Sequence, residues 1–248
     1  MNGAAVITGA ARRIGRVLAV QAARSGYDVA VHHRDSPDDA EETAGLVRAE
    51  GRRACVLAAD LTHRDAGDLI GRAVGELGPV TLLVNNASLF LEDRLQTFDA
   101  DVLDAHMATN LRAPAVLAQA FAAQLPEGRA GLIINILDQR VWRPNPQFFG
   151  YSLSKAALWH ATQTMAQALA PRIRVNGIGP GPTLGSVHQV AGEFEQEAAG
   201  TPLAHAVSPD EIAAALRYLI DAPSVTGQMI AVDSGQHLGW QTPDIIHP

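Results

Sequence analysis

Seven short apolar runs recur along the chain and constrain its fold more than any other feature of the sequence. They span residues 4–8, 29–32, 54–58, 80–84, 132–137, 173–176 and 229–232, and segments of helical period separate them. Short apolar strands that alternate with helices are typical of a parallel sheet buried on both faces. Because no linker, repeat or low-complexity tract divides the chain, we predict one doubly wound α/β domain over residues 1–248. Its seven-stranded parallel sheet is flanked by helices on both faces.

Charge and residue spacing exclude several classes of function. The 248 residues carry a net charge of −7 without a Lys/Arg block, whereas nucleic-acid binding requires a basic surface. No apolar run approaches the roughly 20 residues of a membrane span, and the N-terminus lacks a signal-peptide pattern, so we expect a cytoplasmic protein. The nine His residues lack metal-ligand spacing, which predicts no metal site. The single cysteine, Cys55, lies in an apolar run and is expected to be a buried, inert thiol.

The first apolar run leads into a glycine-rich turn, TGAARRIG at residues 8–15, which opens the first helical segment. Such a turn lets backbone N–H groups approach a pyrophosphate, and the helix dipole favours the negative charge. A tight turn without a ligand would use the same glycines, but the position in the first βα unit favours dinucleotide binding. We therefore predict a Rossmann-type domain in which Gly9, Arg13, Ile14 and Gly15 contact the cofactor.

The end of the second strand indicates which dinucleotide binds. NAD-specific sites usually place Asp or Glu there to bind the ribose 2′-hydroxyl, whereas this chain has HHRDS at residues 32–36. Arg34 can pair bidentately with a 2′-phosphate, Ser36 adds a hydroxyl, and Arg13 is expected to approach the same region. An inward-pointing Asp35 would repel the phosphate, and an ordinary solvated loop is the alternative. We predict NADPH/NADP+ as cofactor, with His33, Arg34 and Ser36 in its site.

The order of further motifs resembles the short-chain dehydrogenase/reductase family along essentially the whole chain. After the phosphate turn come Asp60-Leu61, NNA at 85–87, Asn110, YSLSK at 151–155, Pro180-Gly181 and VTGQ at 225–228. Seven ordered motifs are highly specific, whereas a Tyr-x-x-x-Lys match alone is common by chance. The resemblance implies an NADP(H)-dependent enzyme and further cofactor contacts from Asp60, Leu61, Asn86, Ala87, Ser88, Tyr151, Lys155, Pro180 and Gly181.

The Tyr-x-x-x-Lys spacing has a physical reason. Side chains at i and i+4 lie on one face of a helix, so the Lys155 ammonium is expected to lie near the Tyr151 phenol. A nearby cation stabilises the phenolate and is expected to lower the pKa of Tyr151, which then donates a proton near neutral pH. By resemblance, Lys155 also holds the nicotinamide ribose, and Asn110 supports a water that relays protons.

Two departures from the family pattern resemble its pteridine reductase branch. Arg13 replaces the middle glycine of the phosphate turn, and Asp138 stands thirteen residues before Tyr151, where a serine normally binds the substrate carbonyl. The resemblance implies that Arg13, Ser88, Phe90, Asp138 and Tyr151 bind the pterin. It further implies that Asp138 joins Tyr151 and the lysine in catalysis. The ending GQHL at residues 235–238, followed by residues 239–248, also resembles dihydromonapterin-reductase-like proteins.

These observations favour a reductase that transfers hydride to a dihydropterin, with Tyr151 and Asp138 assisting proton transfer. The alternatives are a carbonyl reductase of the same fold, acting on a ketone or 3-oxoacyl substrate, and an NADPH sensor without turnover. The stretch at about 182–205 is expected to be a substrate flap. The family resemblance implies a homo-oligomer, a dimer or a tetramer. We expect the apolar tail, residues 239–248, to pack against a neighbouring subunit.

Overall fold

The seven predicted apolar runs are the strands of one parallel sheet. The computed structural model describes residues 2–185 and 190–240, and these form seven strands in the order β3-β2-β1-β4-β5-β6-β7. The fold prediction is confirmed. The strands are β1 (Ala4–Ile7), β2 (Asp28–His33), β3 (Ala54–Ala58), β4 (Val80–Asn85), β5 (Gly131–Ile136), β6 (Ile173–Pro180) and β7 (Met229–Val232).

Among the strands, β6 extends furthest beyond its apolar run. β6 continues past residue 176 to Pro180, because Gly179 and Pro180 still pair with β7. The polar and glycine residues that interrupt the run are buried inside the sheet. A Cβ on Gly177 would lie 2.4 Å from Cδ1 of Leu137, so only glycine fits this close packing.

Helices cover both faces of the sheet. One layer consists of α1, α2 and α8, and the other consists chiefly of α3, α5 and α6. A π-helical segment, Ala108–Arg112, joins α4 to α5. The helices of the described residues are α1 (Arg13–Arg24), α2 (Pro37–Ala49), α3 (Asp68–Leu77), α4 (Ala100–Met107), α5 (Ala113–Gln124), α6 (Phe149–Leu169), α7 (Glu193–Ala199) and α8 (Pro209–Asp221).

The pleat of the strands divides the core between the two layers. Ala5 and Ile7 of β1 pack toward α1 and α8, whereas Ala4 and Val6 pack toward α3 and α5. β1 lies between β2 and β4. Successive strands are added on one side of β1 as far as β3 and on its other side from β4 onward, so the strand order reverses at β1. In doubly wound sheets, ligands bind at the carboxyl ends of the strands beside this reversal.

The predicted flap contains α7 and lies between β6 and α8. Residues 186–189 of the flap lie outside the described part, as do residues 241–248 of the tail. Within residues 2–185 and 190–240, no helix is long and apolar enough to span a membrane. In the same ranges, no cluster of three His, Cys, Asp or Glu side chains could hold a metal ion.

Candidate active site

Two adjoining cavities lie at the carboxyl ends of the strands. The larger has a volume of about 1000 Å³ and the smaller about 580 Å³, and they share Arg13, Ile14, Asn86 and Ser88. The smaller cavity is lined by the ends of β1, β2, β3 and β4, and it brings together the predicted cofactor residues Gly9, Arg13, Ile14, Gly15, His33, Arg34, Ser36, Asp60, Leu61, Asn86, Ala87 and Ser88. The larger cavity brings together the predicted residues Phe90, Asp138, Tyr151, Lys155, Pro180 and Gly181.

The phosphate turn has the geometry that a dinucleotide requires. Gly9 has φ +61°, and a Cβ on Gly15 would lie 2.1 Å from the Gly9 carbonyl oxygen, so neither position tolerates a side chain without strain. Nδ2 of Asn86 donates to the carbonyls of Thr8 and Gly9 at 2.8 and 3.0 Å. The turn is thereby fixed against the end of β4, and α1 begins at its exit. A diphosphate group fits this arrangement of close backbone and helix N-terminus.

Arg13 occupies a backbone conformation that favours glycine. Its φ is +53°, which explains why the family pattern has glycine at this position. Its guanidinium crosses the larger cavity and donates to the carbonyls of Leu184 and Gly185 in the flap, at 3.1 and 3.2 Å. Arg13 thus lines the smaller cavity together with Arg34 and Ser36, while its guanidinium donates toward the flap, and its contact with a 2′-phosphate stays a prediction.

A different arginine lies beside Ser36. Nη2 of Arg12 donates to the Ser36 hydroxyl, and its Nε lies 3.2 Å from the Asp39 carboxylate. The sequence reasoning missed Arg12, although it is the other basic residue of the same turn. Arg34 lines the same corner, and its Nε pairs with the exposed Asp35 carboxylate. Three groups that favour a 2′-phosphate, two guanidinium groups and a hydroxyl, thus converge at one end of the smaller cavity.

His32 connects three strand ends and was also missed by the sequence reasoning. Its Nδ1 accepts the Gly9 N–H at 3.0 Å, and its Nε2 donates to the Ala59 carbonyl at 3.0 Å. The bond that Nδ1 accepts requires the neutral ring, and burial lowers the pKa of His32 to about 4. His33 accepts the Ser36 N–H through its Nδ1 at 3.2 Å. His32 therefore holds the phosphate turn in place, and His33 holds the corner around Ser36.

The far wall of the smaller cavity is formed by the loop after β3. Oδ1 of Asp60 accepts hydrogen bonds from the N–H and the hydroxyl of Thr62, both at 2.8 Å. The N–H of Thr62 lowers the pKa of Asp60, which keeps this carboxylate ionised. Leu61 is buried next to it. The pair provides one polar and one apolar contact for an adenine ring.

Tyr151 and Asp138 meet in the larger cavity. Tyr151 lies in the first turn of α6, and its hydroxyl donates to Oδ2 of Asp138 at 2.9 Å. Oδ1 of Asp138 accepts the backbone N–H of Arg140 at 2.8 Å. Burial raises the pKa of Asp138. Burial and the Asp138 carboxylate both raise the pKa of Tyr151. The expected lowering of the Tyr151 pKa is therefore wrong here, because the phenol is buried and its hydroxyl faces a carboxylate.

Lys155 lies one helical turn after Tyr151 and is almost fully buried. Its Nζ donates to the carbonyl of Ile136 at 2.8 Å and lies 5.6 Å from the centroid of the Tyr151 ring. Burial lowers the pKa of Lys155 to about 8, although the Asp138 carboxylate acts in the opposite direction. The ammonium is thus anchored at the end of β5, in the wall of the larger cavity and beside the tyrosine ring.

Asn110 lies in the π-helical segment and lines neither cavity. Its Oδ1 accepts the N–H of Leu89 at 2.8 Å and the hydroxyl of Ser88 at 3.2 Å. Its Nδ2 donates to the Leu89 carbonyl and to the Ser154 hydroxyl, both at 3.0 Å. The side chain of Asn110 therefore fixes the loop after β4 against α6. The expected water relay through Asn110 remains a prediction.

An aromatic stack forms one wall of the larger cavity. The rings of Phe90 and Phe148 stack with their centroids 4.1 Å apart, and Phe90 meets the Tyr151 ring edge-on at 4.7 Å. The guanidinium of Arg140 lies 5.2 Å from the centroid of Phe148. Only Phe90 and Tyr151 were predicted, because Phe148 and Arg140 belong to no recognisable motif. The stack presents a flat apolar surface next to a cation, which suits a polar heteroaromatic ring.

Pro180 and Gly181 close the cavity on the opposite side, at the end of β6. A Cβ on Gly181 would lie 2.6 Å from Cα of Asp233, so the glycine lets the two chain segments touch. The flap adds Thr183, Phe194 and Glu197 to the lining. The described part of the predicted flap therefore does border the larger cavity, although sequence reasoning could not identify its contacts.

Comparison with known proteins agrees with this geometry. The family model for short chain dehydrogenases matches residues 3–196. An uncharacterised oxidoreductase of Mycobacterium tuberculosis is 36% identical over 97% of this chain and 95% of its own length. The 3-oxoacyl-acyl-carrier-protein reductase FabG of Staphylococcus epidermidis is 31% identical over 96% of this chain and 100% of its own length.

A solved structure is more similar still. The FolM alternative dihydrofolate reductase 1 of Brucella canis, complexed with NADP, is 49% identical and superposes with a TM-score of 0.95, covering 98% of this chain and 97% of that one. The ordered motifs of the sequence, the seven-stranded parallel sheet and the family match over residues 3–196 all support one family assignment. This chain belongs to the short-chain dehydrogenase family.

Proposed function

We propose that the protein is an NADPH-dependent pteridine reductase, which reduces a dihydropterin. The observation that carries this proposal is the hydrogen bond between the Tyr151 hydroxyl and the Asp138 carboxylate in the larger cavity. A carboxyl group stands where the family pattern has a serine, and it belongs to the same hydrogen-bonded unit as the tyrosine. This arrangement suits proton delivery to a ring nitrogen better than the binding of a ketone oxygen.

The smaller cavity and the phosphate turn would hold the cofactor. The turn at residues 8–15 suits the diphosphate, Arg12, Arg34 and Ser36 suit the 2′-phosphate, and Asp60 suits the adenine ring. When bound, NADPH supplies the hydride for the reduction. The solved Brucella canis relative is complexed with NADP, which supports this choice of cofactor.

The residues of the larger cavity can supply the proton that the reaction consumes. In reduction of a carbon–nitrogen double bond, carbon gains a hydride while nitrogen gains a proton. Tyr151 donates its hydroxyl proton toward the substrate, and a protonated Asp138 can replace it across the 2.9 Å bond. The raised pKa of Asp138, caused by burial, favours the protonated carboxyl that this step needs. Lys155, held at the Ile136 carbonyl, provides positive charge beside the phenolate left on Tyr151.

Recognition of the pterin ring rests on the walls of the same cavity. Phe90, backed by Phe148, offers a surface for stacking, and Ser88 and Arg13 add polar groups at the boundary with the cofactor cavity. The name of the Brucella canis relative includes dihydrofolate reductase, and dihydrofolate contains a pterin ring. This likeness at 49% identity supports a pterin substrate over an unrelated one.

A carbonyl reductase is the second candidate. It is favoured by the similarity to the staphylococcal 3-oxoacyl-acyl-carrier-protein reductase at 31% identity. Asp138 argues against it, because a carboxylate at that position repels the lone pairs of a ketone oxygen. A sensor without turnover is the third candidate, and a buried proton donor such as Tyr151 has no purpose in it.

One assay separates these candidates. We expect the purified protein to oxidise NADPH with a dihydropterin and to be slow with a panel of ketones and 3-oxoacyl thioesters. Tyr151→Phe serves as the matched control, since it removes only the hydroxyl and should abolish turnover while NADPH still binds. Fast ketone reduction without pterin reduction would assign the carbonyl reductase. NADPH binding without reduction of any substrate would assign the sensor.

We also propose a cytoplasmic homo-oligomer, most simply a homotetramer. The proposal for the tail, residues 239–248, lies mostly outside the described part of the chain. Trp240, the last described residue, is 54% exposed in the single subunit. Sedimentation of the full chain and of a chain ending at residue 238 tests whether this segment contributes to assembly.

A further inference from the structure

Asp93 is a buried carboxylate that contacts the helix carrying Tyr151. It lies on the loop after β4 and is 4% exposed. Its two carboxylate oxygens accept the N–H of Gly150 at 2.8 and 3.1 Å, and its carbonyl accepts the N–H of Phe149 at 3.3 Å. Asp93 lines neither cavity, so it does not touch a substrate or a cofactor bound there.

The first turn of α6 depends on this contact. The residue before the helix, Phe148, has φ +53° and makes no side-chain cap. The first N–H groups of a helix need acceptors from elsewhere, and a negative charge at that end is also favoured by the helix dipole. Asp93 supplies both the acceptor and the charge, from a position 57 residues earlier in the chain.

The packing around Gly150 makes the contact specific. A Cβ on Gly150 would lie 2.9 Å from Oδ2 of Asp93 and 3.1 Å from Nδ1 of His106. His106 is fully buried, and its Nε2 accepts the N–H of Leu91 at 3.1 Å. The loop after β4 and the start of α6 are thus held together on both sides of Gly150. This clamp consists of Asp93, His106 and Gly150.

The clamp joins the two groups that would face the substrate. Phe90 precedes it on the loop, Tyr151 follows it on α6, and their rings meet edge-on at 4.7 Å. We propose that Asp93 is a positioning residue, which holds the first turn of α6 so that the Tyr151 hydroxyl and the Phe90 ring face one substrate. This inference rests on the proposed role of Tyr151 as proton donor.

The test measures kcat, KM, NADPH affinity and thermal stability for Asp93→Ala, Asp93→Asn and Gly150→Ala. Asp93→Ala should lower kcat by about 10- to 100-fold, the cost of misplacing a reacting group by about 1 Å. NADPH affinity should be unchanged, because Asp93 does not line the cofactor cavity. Asp93→Asn keeps one oxygen acceptor and should recover part of the lost kcat. Gly150→Ala should lower kcat as well, since its methyl group would displace the carboxylate.

Asp28→Ala is the control for a purely structural effect. Asp28 is also buried and accepts a backbone N–H, that of Arg53 at 3.0 Å, but it lies at the opposite end of the sheet. The Asp28→Ala substitution should lower the unfolding temperature of the protein and leave its kcat unchanged. Wild-type kcat in a folded Asp93→Ala protein would overturn the proposal. If Asp93→Ala does not fold, wild-type kcat in both Asp93→Asn and Gly150→Ala would overturn it.

The kinetics use whichever substrate the wild-type enzyme reduces fastest, a dihydropterin or a ketone. A wild-type protein that ignores pterins therefore contradicts the proposed function and leaves the Asp93 comparison intact. A wild-type protein that reduces no substrate overturns both, because Tyr151 then has no proton to deliver.

Discussion

The hydroxyl of Tyr151 donates to the carboxylate of Asp138 across 2.9 Å inside the larger cavity. Burial raises the pKa of both groups. The pair can therefore hold one proton close to the substrate and pass it along the bond.

The first prediction concerns the carboxylate. Asp138→Ala should lower kcat with a dihydropterin by about 10²- to 10⁴-fold, the usual contribution of general acid–base catalysis. NADPH affinity should change little, because Asp138 does not line the smaller cavity. Asp138→Asn is the matched control, since it keeps the shape but cannot deliver a carboxyl proton. Asp138→Ser should be a poor pterin reductase, and unchanged pterin turnover in this variant would contradict the proposed role.

The second prediction concerns pH. Lys155 is charged below its pKa, which burial lowers to about 8, so its ammonium is lost as the pH rises through that value. We expect kcat/KM for reduction to fall by about tenfold per pH unit on the alkaline side. Lys155→Arg should be slower but should move this limb to higher pH, because a guanidinium keeps its charge to above about 12. Initial rates across the alkaline range measure both profiles, and a wild-type profile without the limb would rule out this role.

The third prediction concerns cofactor choice. Arg12→Ala and Arg34→Asp should each weaken NADPH binding, because each removes a guanidinium from the corner around Ser36. A charge-assisted hydrogen bond contributes about 1.5–3 kcal/mol, or about 10- to 100-fold in Kd. NADH binding should change much less, since NADH lacks the 2′-phosphate. Fluorescence titration with both cofactors measures the difference, and equal losses would refute the assignment of this corner.

The fourth prediction concerns the left-handed residue of the phosphate turn. Arg13 has φ +53°, which costs a non-glycine residue about 1–2 kcal/mol. Arg13→Ala and Arg13→Gly both remove the guanidinium that reaches the flap, but only glycine relieves the backbone. Arg13→Gly should therefore unfold at higher denaturant concentration than Arg13→Ala, by about 1 kcal/mol in the free energy of unfolding. Equal stability of the two variants would show that the turn is not strained.

Neighbouring residues in the sequence were enough to predict the architecture and the placement of Tyr151 and Lys155 on one helix. The apolar runs predicted every strand, because a strand buried on both faces is continuously apolar. The end of β6 departed most from its apolar run, since Asn176 and Gly177 interrupt the apolar pattern while remaining buried in the sheet. The spacing of Tyr151 and Lys155 predicted one helix face, because helix geometry alone fixes side chains four residues apart. Asp138 was predicted as a site residue because it stands thirteen residues before Tyr151, where the family pattern has a serine.

The remaining features depend on contacts between residues far apart in the chain. The sequence predicted Arg13 near the 2′-phosphate region and did not identify Arg12, whereas Arg12 donates to Ser36 and Arg13 donates to the flap. The sequence also predicted a lowered pKa for Tyr151, whereas burial and Asp138 raise it. The side-chain direction in a left-handed turn and the burial of a phenol follow from tertiary packing. The clamp of Asp93 on Gly150 bridges 57 residues. Local patterns carry no information about such a contact, because it forms only where the sheet order brings the loop after β4 to the start of α6.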